Sequence, residues 1–145
     1  MKLISSEHDE QAAFVQWVHL EYRNDPTFIE PFFFAIPNGM WAGGSGQNGK
    51  WGLITKFKQE GFKNGKPDLL YLQPRGPFSW LAIEMKRSDM KNKKDGGMKP
   101  EQIVFQNTVE NWKYGITGLY KVCYSASEAQ SIFSEYMQWY KERIK

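Results

Sequence analysis

The sequence predicts an α/β fold in which a mixed four-stranded sheet is flanked by helices. Four short apolar segments suited to strands, of which the middle two are joined by a short turn, alternate with segments suited to helices, giving the order α-β-α-β-β-α-β-α. Hydrophobic residues make up 41% and aromatic residues 16% of the chain, which is too apolar for a disordered protein. The length of 145 residues suits a single domain, expected over residues 1–145.

The first half of the chain is predicted to contain two helices and one strand. A helix is expected over residues 7–23, because two serines can cap its start and apolar residues follow at helical spacing. Residues 32–36 form a continuous apolar run that predicts a buried strand, closed by a Pro-Asn-Gly turn. A short helix is expected over residues 50–60, with Gly61 placed to end it.

The second half is predicted to contain three strands and two helices. Strands are predicted over residues 68–72 and 80–86, and the short Pro- and Gly-containing connector between them predicts an antiparallel hairpin. A helix is expected from the proline at position 100 to residue 114. A fourth strand over residues 118–124 and a final amphipathic helix over residues 127–143 complete the sheet and its cover.

The composition also excludes several kinds of protein. Residues 1–10 contain no long apolar run, so no secretion signal is expected, and residues 32–36 are too short to span a bilayer. The lone Cys123 rules out an internal disulfide and a cysteine-based zinc cluster. With only His8 and His19 besides, a zinc site is not expected. The expected location is the cytoplasm, with no membrane partner.

Basic residues are concentrated in two stretches, although the net charge is only +3. One stretch covers residues 86–99, and the other covers residues 50–66. Such clusters can contact phosphates and release counterions, although a solvated surface loop has the same composition. The residues expected to bind nucleic acid are Lys66, Arg87, Lys91, Lys93, Lys94 and Lys99.

Two carboxylates and a lysine are expected to meet at one end of the predicted hairpin. Asp68 opens one strand, and Glu84 and Lys86 end the next. Side chains two residues apart in a strand share a face, so Glu84 and Lys86 point the same way while Ile83 and Met85 point into apolar packing. Antiparallel pairing then places Asp68 beside Glu84 and Lys86.

This combination suits metal-assisted chemistry on a phosphate. Two carboxylates can hold a hard cation such as Mg²⁺, and the backbone carbonyl of Met85 is a plausible further ligand. The cation can stabilise charge on phosphate oxygens, while Lys86 orients or deprotonates a water or stabilises added charge. Taken singly, Asp68 also fits a turn and the pair of Glu84 and Lys86 fits an exposed salt bridge. The combination at the end of an apolar strand favours a catalytic site.

The same residues resemble the PD-(D/E)XK nuclease superfamily, through Pro67-Asp68 followed by Glu84-Met85-Lys86. More narrowly, the chain resembles a VRR-NUC domain in the stand-alone form typical of phages and prophages. The resemblance covers almost the whole chain. Besides the acidic and lysine residues, it includes residues 7–11, Ile36-Pro37-Asn38-Gly39, residues 61–65, and Glu101-Gln102.

The resemblance implies a fold, a reaction and a set of roles. It implies a four-stranded mixed sheet and Mg²⁺- or Mn²⁺-dependent hydrolysis of phosphodiester bonds. Asp68 and Glu84 would be metal ligands, and Lys86 would be the catalytic lysine. A further acidic residue from the first helix is assigned to Glu7, expected on the buried side, with Asp9 and Glu10 as rivals. Gln102 would reach towards the site, although it also fits an ordinary first-turn polar residue.

For function, the leading hypothesis is a DNA endonuclease acting on Holliday junctions or flaps. By resemblance, such a nuclease often works as a homodimer, and the aromatic-rich last helix is one candidate interface. The alternative from a different class is a nucleic-acid-binding protein that keeps the fold but does not cleave.

Trp41 and Trp51, which border a glycine-rich stretch, fit either base stacking or the core, and the core is favoured.

Overall fold

The structure is a computed structural model that describes residues 3–37, 52 and 55–143, with residues 140–143 described by their backbone alone. The predicted Trp41 and Trp51 contacts lie outside the described residues. Among those that are described, no helix is long and apolar enough to cross a membrane. The three long helices and four strands are α1 (Glu7–Glu21), β1 (Phe33–Ala35), β2 (Leu69–Tyr71), β3 (Phe78–Met85), α2 (Pro100–Glu110), β4 (Thr117–Cys123) and α3 (Ala126–Arg143).

The strands form one mixed sheet in the order β1-β2-β3-β4. The pairs β1–β2 and β2–β3 are antiparallel, so the predicted hairpin is confirmed. Strand β4 pairs with β3 in parallel, and α2 lies in the connection between them. The register sets Leu69 opposite Ile83 and Tyr120 opposite Ala82. Every site residue on these strands is placed by this register.

One face of the sheet packs against α1 and α3 and forms the main core. From β3, Ile83 and Met85 point into this core, as the alternation predicted. Phe14 of α1 and Phe133 of α3 are fully buried, and their ring centroids lie 6.0 Å apart. Burial of one such side chain contributes about 1.5–3 kcal/mol. The core therefore fixes the strand whose end carries Glu84.

The other face of the sheet is covered by α2. The Phe105 ring of α2 lies 5.6 Å from the Tyr120 ring and 6.5 Å from the Trp80 ring, measured between centroids. A Cβ at Gly118 would lie 2.1 Å from the Trp80 ring, so only glycine allows β4 this close to that side chain. Glu84 belongs to this face by alternation with Ile83.

Several predicted element ends are wrong by a few residues. Helix α1 ends at Glu21 and not at residue 23, because Tyr22 leaves the helix to pack on Phe28 and Phe133. Helix α2 ends at Glu110 and not at residue 114, since residues 111–116 are all exposed and no burial holds another turn. Of the predicted helix 50–60, residues 52 and 55–59 are helical where the structure describes them.

Candidate active site

The end of β3 brings together the acidic and basic residues singled out in the sequence. Lys86 directly follows β3, and its Nζ lies 2.7 Å from Glu84 Oε1. Asp68 directly precedes β2, and its Oδ2 accepts a hydrogen bond from the Met85 backbone N–H at 2.7 Å. The register of the hairpin brings these three side chains close together, as the sequence predicted.

Glu84 is the most deeply buried member of this group, with 1% of its surface exposed. Its Oε1 accepts hydrogen bonds from Lys86 Nζ and from the Gln102 side-chain amide. Its Oε2 is buried and has no hydrogen-bond partner among the described residues. Burial, followed by the negative charge of Asp68, raises the pKa of Glu84 from 4.5 to about 7, against the lowering effect of Lys86.

Helix α2 supplies Gln102, whose side chain reaches Glu84. Pro100 occupies the start of the helix, where its missing N–H costs nothing. Gln102 Oε1 accepts a hydrogen bond from the Lys99 backbone N–H at 2.8 Å, and its Nε2 donates to Glu84. The two interpretations of Gln102 thus both describe it: the residue caps its own helix and holds the Glu84 carboxylate.

The three acidic residues of the first helical turns have different surroundings. Glu7 Oε1 lies 3.4 Å from the Arg87 backbone N–H, which donates to it, at the margin of the site. Asp9 is paired with Ser6 at the helix cap, and Glu10 Oε2 accepts from the Ala126 backbone N–H at 2.6 Å. Glu7 is therefore the member of the set nearest the site.

The expectation that Glu7 lies on the buried side of the helix is wrong. Its side chain is exposed, whereas Phe14 and Val18 on the same helix are fully buried. The reason is that Glu7 is the first residue of α1, about two turns before Phe14, the first fully buried residue of the helix. It lies close enough to add its negative charge to the field at Glu84.

The donor set fits a hard divalent cation. The described residues contain no cluster of three or more His, Cys, Asp or Glu side chains able to hold a metal on their own. Mg²⁺ is often bound through one or two carboxylates while keeping several waters, and Asp68 and Glu84 offer two carboxylates. The unpartnered Glu84 Oε2 is an anionic oxygen that a cation would satisfy.

The residues expected to bind nucleic acid differ in their contacts and exposure. Within the part of the chain that the structure describes, Arg87 pairs with Asp89 at 2.7 Å and Lys91 pairs with Glu128 at 2.5 Å. Lys66 Nζ lies 4.9 Å from the centroid of the Phe105 ring. The remaining three are exposed on the segment between β3 and α2: Lys93, Lys94 and Lys99.

Tyr120 is a site neighbour that the sequence interpretation did not identify. It lies on β4 opposite Ala82, on the face of the sheet that carries Glu84. Its hydroxyl is buried without a hydrogen-bond partner among the described residues. Burial, and then the charges of Glu84 and Asp68, raise its pKa. In the predicted fourth strand, Tyr120 and Val122 are two residues apart and share a face, and this spacing was the signal that could have identified Tyr120.

The chain is an α/β protein whose mixed four-stranded sheet is flanked by helices, with a buried acidic-lysine cluster at the end of β3. Among solved structures, one described as a VRR_NUC domain protein is similar, with a TM-score of 0.64. The similarity covers 96% of this chain and 93% of that chain at 19% sequence identity. This likeness confirms the predicted fold class. No protein-family model and no curated protein matches the sequence.

Proposed function

We propose that this protein is a metal-dependent nuclease that hydrolyses phosphodiester bonds in DNA. The observation that carries the proposal is the buried pair of Glu84 and Lys86 beside Asp68, with one carboxylate oxygen unpartnered. The shared fold with a VRR_NUC domain protein supports the same class of reaction. Asp68, Glu84 and Lys86 are the proposed catalytic residues, with Glu7 and Gln102 supporting them.

A purely structural role would not favour this pair. A buried ion pair loses so much solvation that well-packed apolar residues often stabilise a fold equally well or better. The raised pKa of Glu84 indicates that its charged form is poorly compensated in the folded chain. An ion pair kept for stability alone would sit more favourably at the surface, where its cost is small. A site that binds a ligand explains the buried pair better than a purely structural role does.

Asp68 and Glu84 would hold Mg²⁺ or Mn²⁺, together with the Met85 backbone carbonyl and Glu7. When bound, the cation supplies Lewis-acid stabilisation of phosphate charge. The other roles in the reaction would be performed by side chains of the protein. The Gln102 amide and Lys86 both donate to Glu84 Oε1, so Oε2 is the oxygen that would be available to a cation. The Lys86 ammonium is placed to stabilise negative charge on a phosphate oxygen or to exchange a proton with the attacking water.

The proposed substrate is branched or flapped DNA, including a Holliday junction, and the proposed active form is a homodimer with one site per strand. The exposed lysines between β3 and α2 support phosphate contacts next to the site. The sequence offered α3 as one candidate interface, but two of its aromatic residues are not available for a contact between copies. Phe133 and Tyr136 are buried in the core of the same chain, so the interface would involve another surface.

The proposal is tested by cleavage of labelled four-way-junction, flap, duplex and single-stranded DNA, with RNA of matched sequence alongside. Wild type, Asp68→Asn and the exposed control Glu135→Gln would each be run with Mg²⁺, Mn²⁺ or EDTA. We expect metal-dependent cutting by wild type and Glu135→Gln that is lost in Asp68→Asn. Binding without cutting, on every substrate and with both metals, would favour a nucleic-acid-binding protein on a nuclease fold.

A further inference from the structure

A groove runs along α2 from Gln102, whose side-chain amide donates to Glu84. Its second wall is the segment 63–66, which contacts the first turn of the helix at Gly65. A Cβ on Gly65 would lie 2.6 Å from the Glu101 backbone, and the residue has φ +79°, so glycine permits both the approach and the turn. A cavity of about 290 Å³ here is lined by Gln102, the residue that also holds Glu84.

A second cavity, of about 380 Å³, adjoins the first and extends it along the helix. The two cavities share Asn64 and Glu101 in their linings. Val104, Phe105 and Val109 give the second cavity an apolar floor, and Val104 is 65% exposed. The two cavities therefore form one groove that extends from Gln102, which donates to Glu84, to Val109 near the far end of α2.

Basic side chains border this apolar floor. Lys63 and Lys66 line the wall opposite α2, and Lys66 Nζ lies above the Phe105 ring. Glu101 is the acidic member of the lining. An apolar floor with cations along its edge is suited to a ligand that has flat apolar groups joined by an anionic backbone.

The far end of the groove carries two exposed aromatic residues. Trp112 is 48% exposed and Tyr114 is 86% exposed, and their ring centroids lie 5.7 Å apart. The Trp112 backbone N–H donates to the Val109 carbonyl at 3.3 Å, which keeps the pair next to the groove. Lys113, between them in sequence, is exposed as well. Such a basic aromatic surface is suited to stacking with nucleobases.

We propose that this groove and the Trp112–Tyr114 pair bind an unpaired strand of nucleic acid that leads into the active site. The inference rests on the proposed nuclease function and adds a single-strand binding surface to it. From Gln102 to Trp112 the helix and its cap rise about 15 Å, which accommodates roughly four stacked nucleotides. A duplex stacks its bases internally and exposes base faces only at its ends, so the surface discriminates unpaired strands from paired ones.

The test measures binding of a labelled single-stranded oligodeoxynucleotide and of a blunt duplex by fluorescence anisotropy in EDTA. The double variant Trp112→Ala/Tyr114→Ala should bind the single strand about tenfold more weakly and the duplex as wild type does. Trp112→Phe should keep most of the affinity because it keeps a ring. The control Leu20→Ala removes an exposed apolar side chain from α1 and should change neither affinity.

Unchanged single-strand affinity in the double variant would overturn the inference. Equal losses for single strand and duplex would overturn it too, since stacking on unpaired bases would not explain them. A switch from dimer to monomer with unchanged affinity would identify the aromatic pair as a contact between copies. Cleavage with Mn²⁺, measured in parallel, separates the two proposals: a protein that binds the single strand through Trp112 but never cuts contradicts only the nuclease function.

Discussion

Lys86 Nζ lies 2.7 Å from Glu84 Oε1, and the two side chains are only 8% and 1% exposed. The pair is thus removed from water almost completely, although desolvation of two charges is costly. Lys86 and Gln102 both hold the same carboxylate oxygen, and the other oxygen is buried without a partner. The two oxygens of the Glu84 carboxylate therefore have different surroundings.

The first prediction concerns stability and pH. The pKa of Glu84 rises from 4.5 in the unfolded chain to about 7 in the folded protein. A carboxyl group with a raised pKa stabilises the fold fully below its unfolded pKa, and this contribution is lost as the pH rises through the folded value. Relative to Glu84→Gln, wild type should lose up to about 3 kcal/mol of unfolding free energy across this window.

Denaturant unfolding of both proteins in EDTA, at about pH 4.5 and about pH 8, measures this difference. The comparison with Glu84→Gln cancels the other titrating groups, which the two proteins share. A difference in unfolding free energy that does not change with pH would contradict the raised pKa. A difference that changes in favour of wild type at high pH would show that the Glu84 charge is well compensated.

The second prediction concerns metal binding without any substrate. A cation that occupies the site at a hundred times its dissociation constant adds about 2.7 kcal/mol to stability. Mn²⁺ should therefore raise the melting temperature of wild type by roughly 5 to 10 °C. Asp68→Asn should lose most of this shift, and Glu135→Gln should keep it. Equal shifts in all three proteins would place the cation elsewhere.

The third prediction separates Glu7 from its neighbour Glu10. Glu7 is exposed and faces the site, so Glu7→Gln should lower metal affinity and cleavage with almost no loss of stability. Glu10 accepts from the Ala126 N–H at the start of α3, so Glu10→Ala should cost about 1 kcal/mol of stability and leave cleavage intact. Thermal unfolding and single-turnover cleavage of both variants check this. The reverse pattern would assign the catalytic role to Glu10.

The fourth prediction concerns Gln102 as a positioning residue. Its amide donates to the Glu84 carboxylate, so Gln102→Ala removes a hydrogen bond that favours the charged form. The pH at which cleavage reaches half its maximum should move upwards, with a loss of rate of roughly tenfold. Gln102→Asn, which keeps the amide, should recover part of both. A lowered rate with an unmoved pH profile would reduce Gln102 to a helix-capping role.

The sequence allowed the sheet and the acidic-lysine cluster to be predicted because both follow from local patterns. Alternation along residues 80–86 set the faces of β3, and the short connector before it required an antiparallel partner. Together these constraints were enough to place Asp68 next to Glu84. The helix ends were less predictable, since Tyr22 leaves α1 in order to make tertiary contacts that no local pattern encodes.

The roles of Arg75 and Lys91 could not be predicted, because they depend on contacts between distant parts of the chain. Arg75, in what the sequence presents as a turn, is fully buried and donates to the Thr27 and Met137 carbonyls. Lys91, interpreted as a nucleic-acid contact, pairs with Glu128, which lies 37 residues further along the chain. Charge patterns do not reveal such partners, because they depend on how α3 packs beside the loop.

The most direct test of the central claim is single-turnover cleavage by Lys86→Ala, with substrate and metal binding measured on the same protein. Loss of the lysine should slow cleavage by about 10²- to 10⁴-fold while metal occupancy and nucleic-acid affinity stay near those of wild type. Lys121→Ala, which removes an exposed lysine from β4, should cut normally. Cleavage by Lys86→Ala at the wild-type rate would contradict the assignment of Lys86 and of the site built around it.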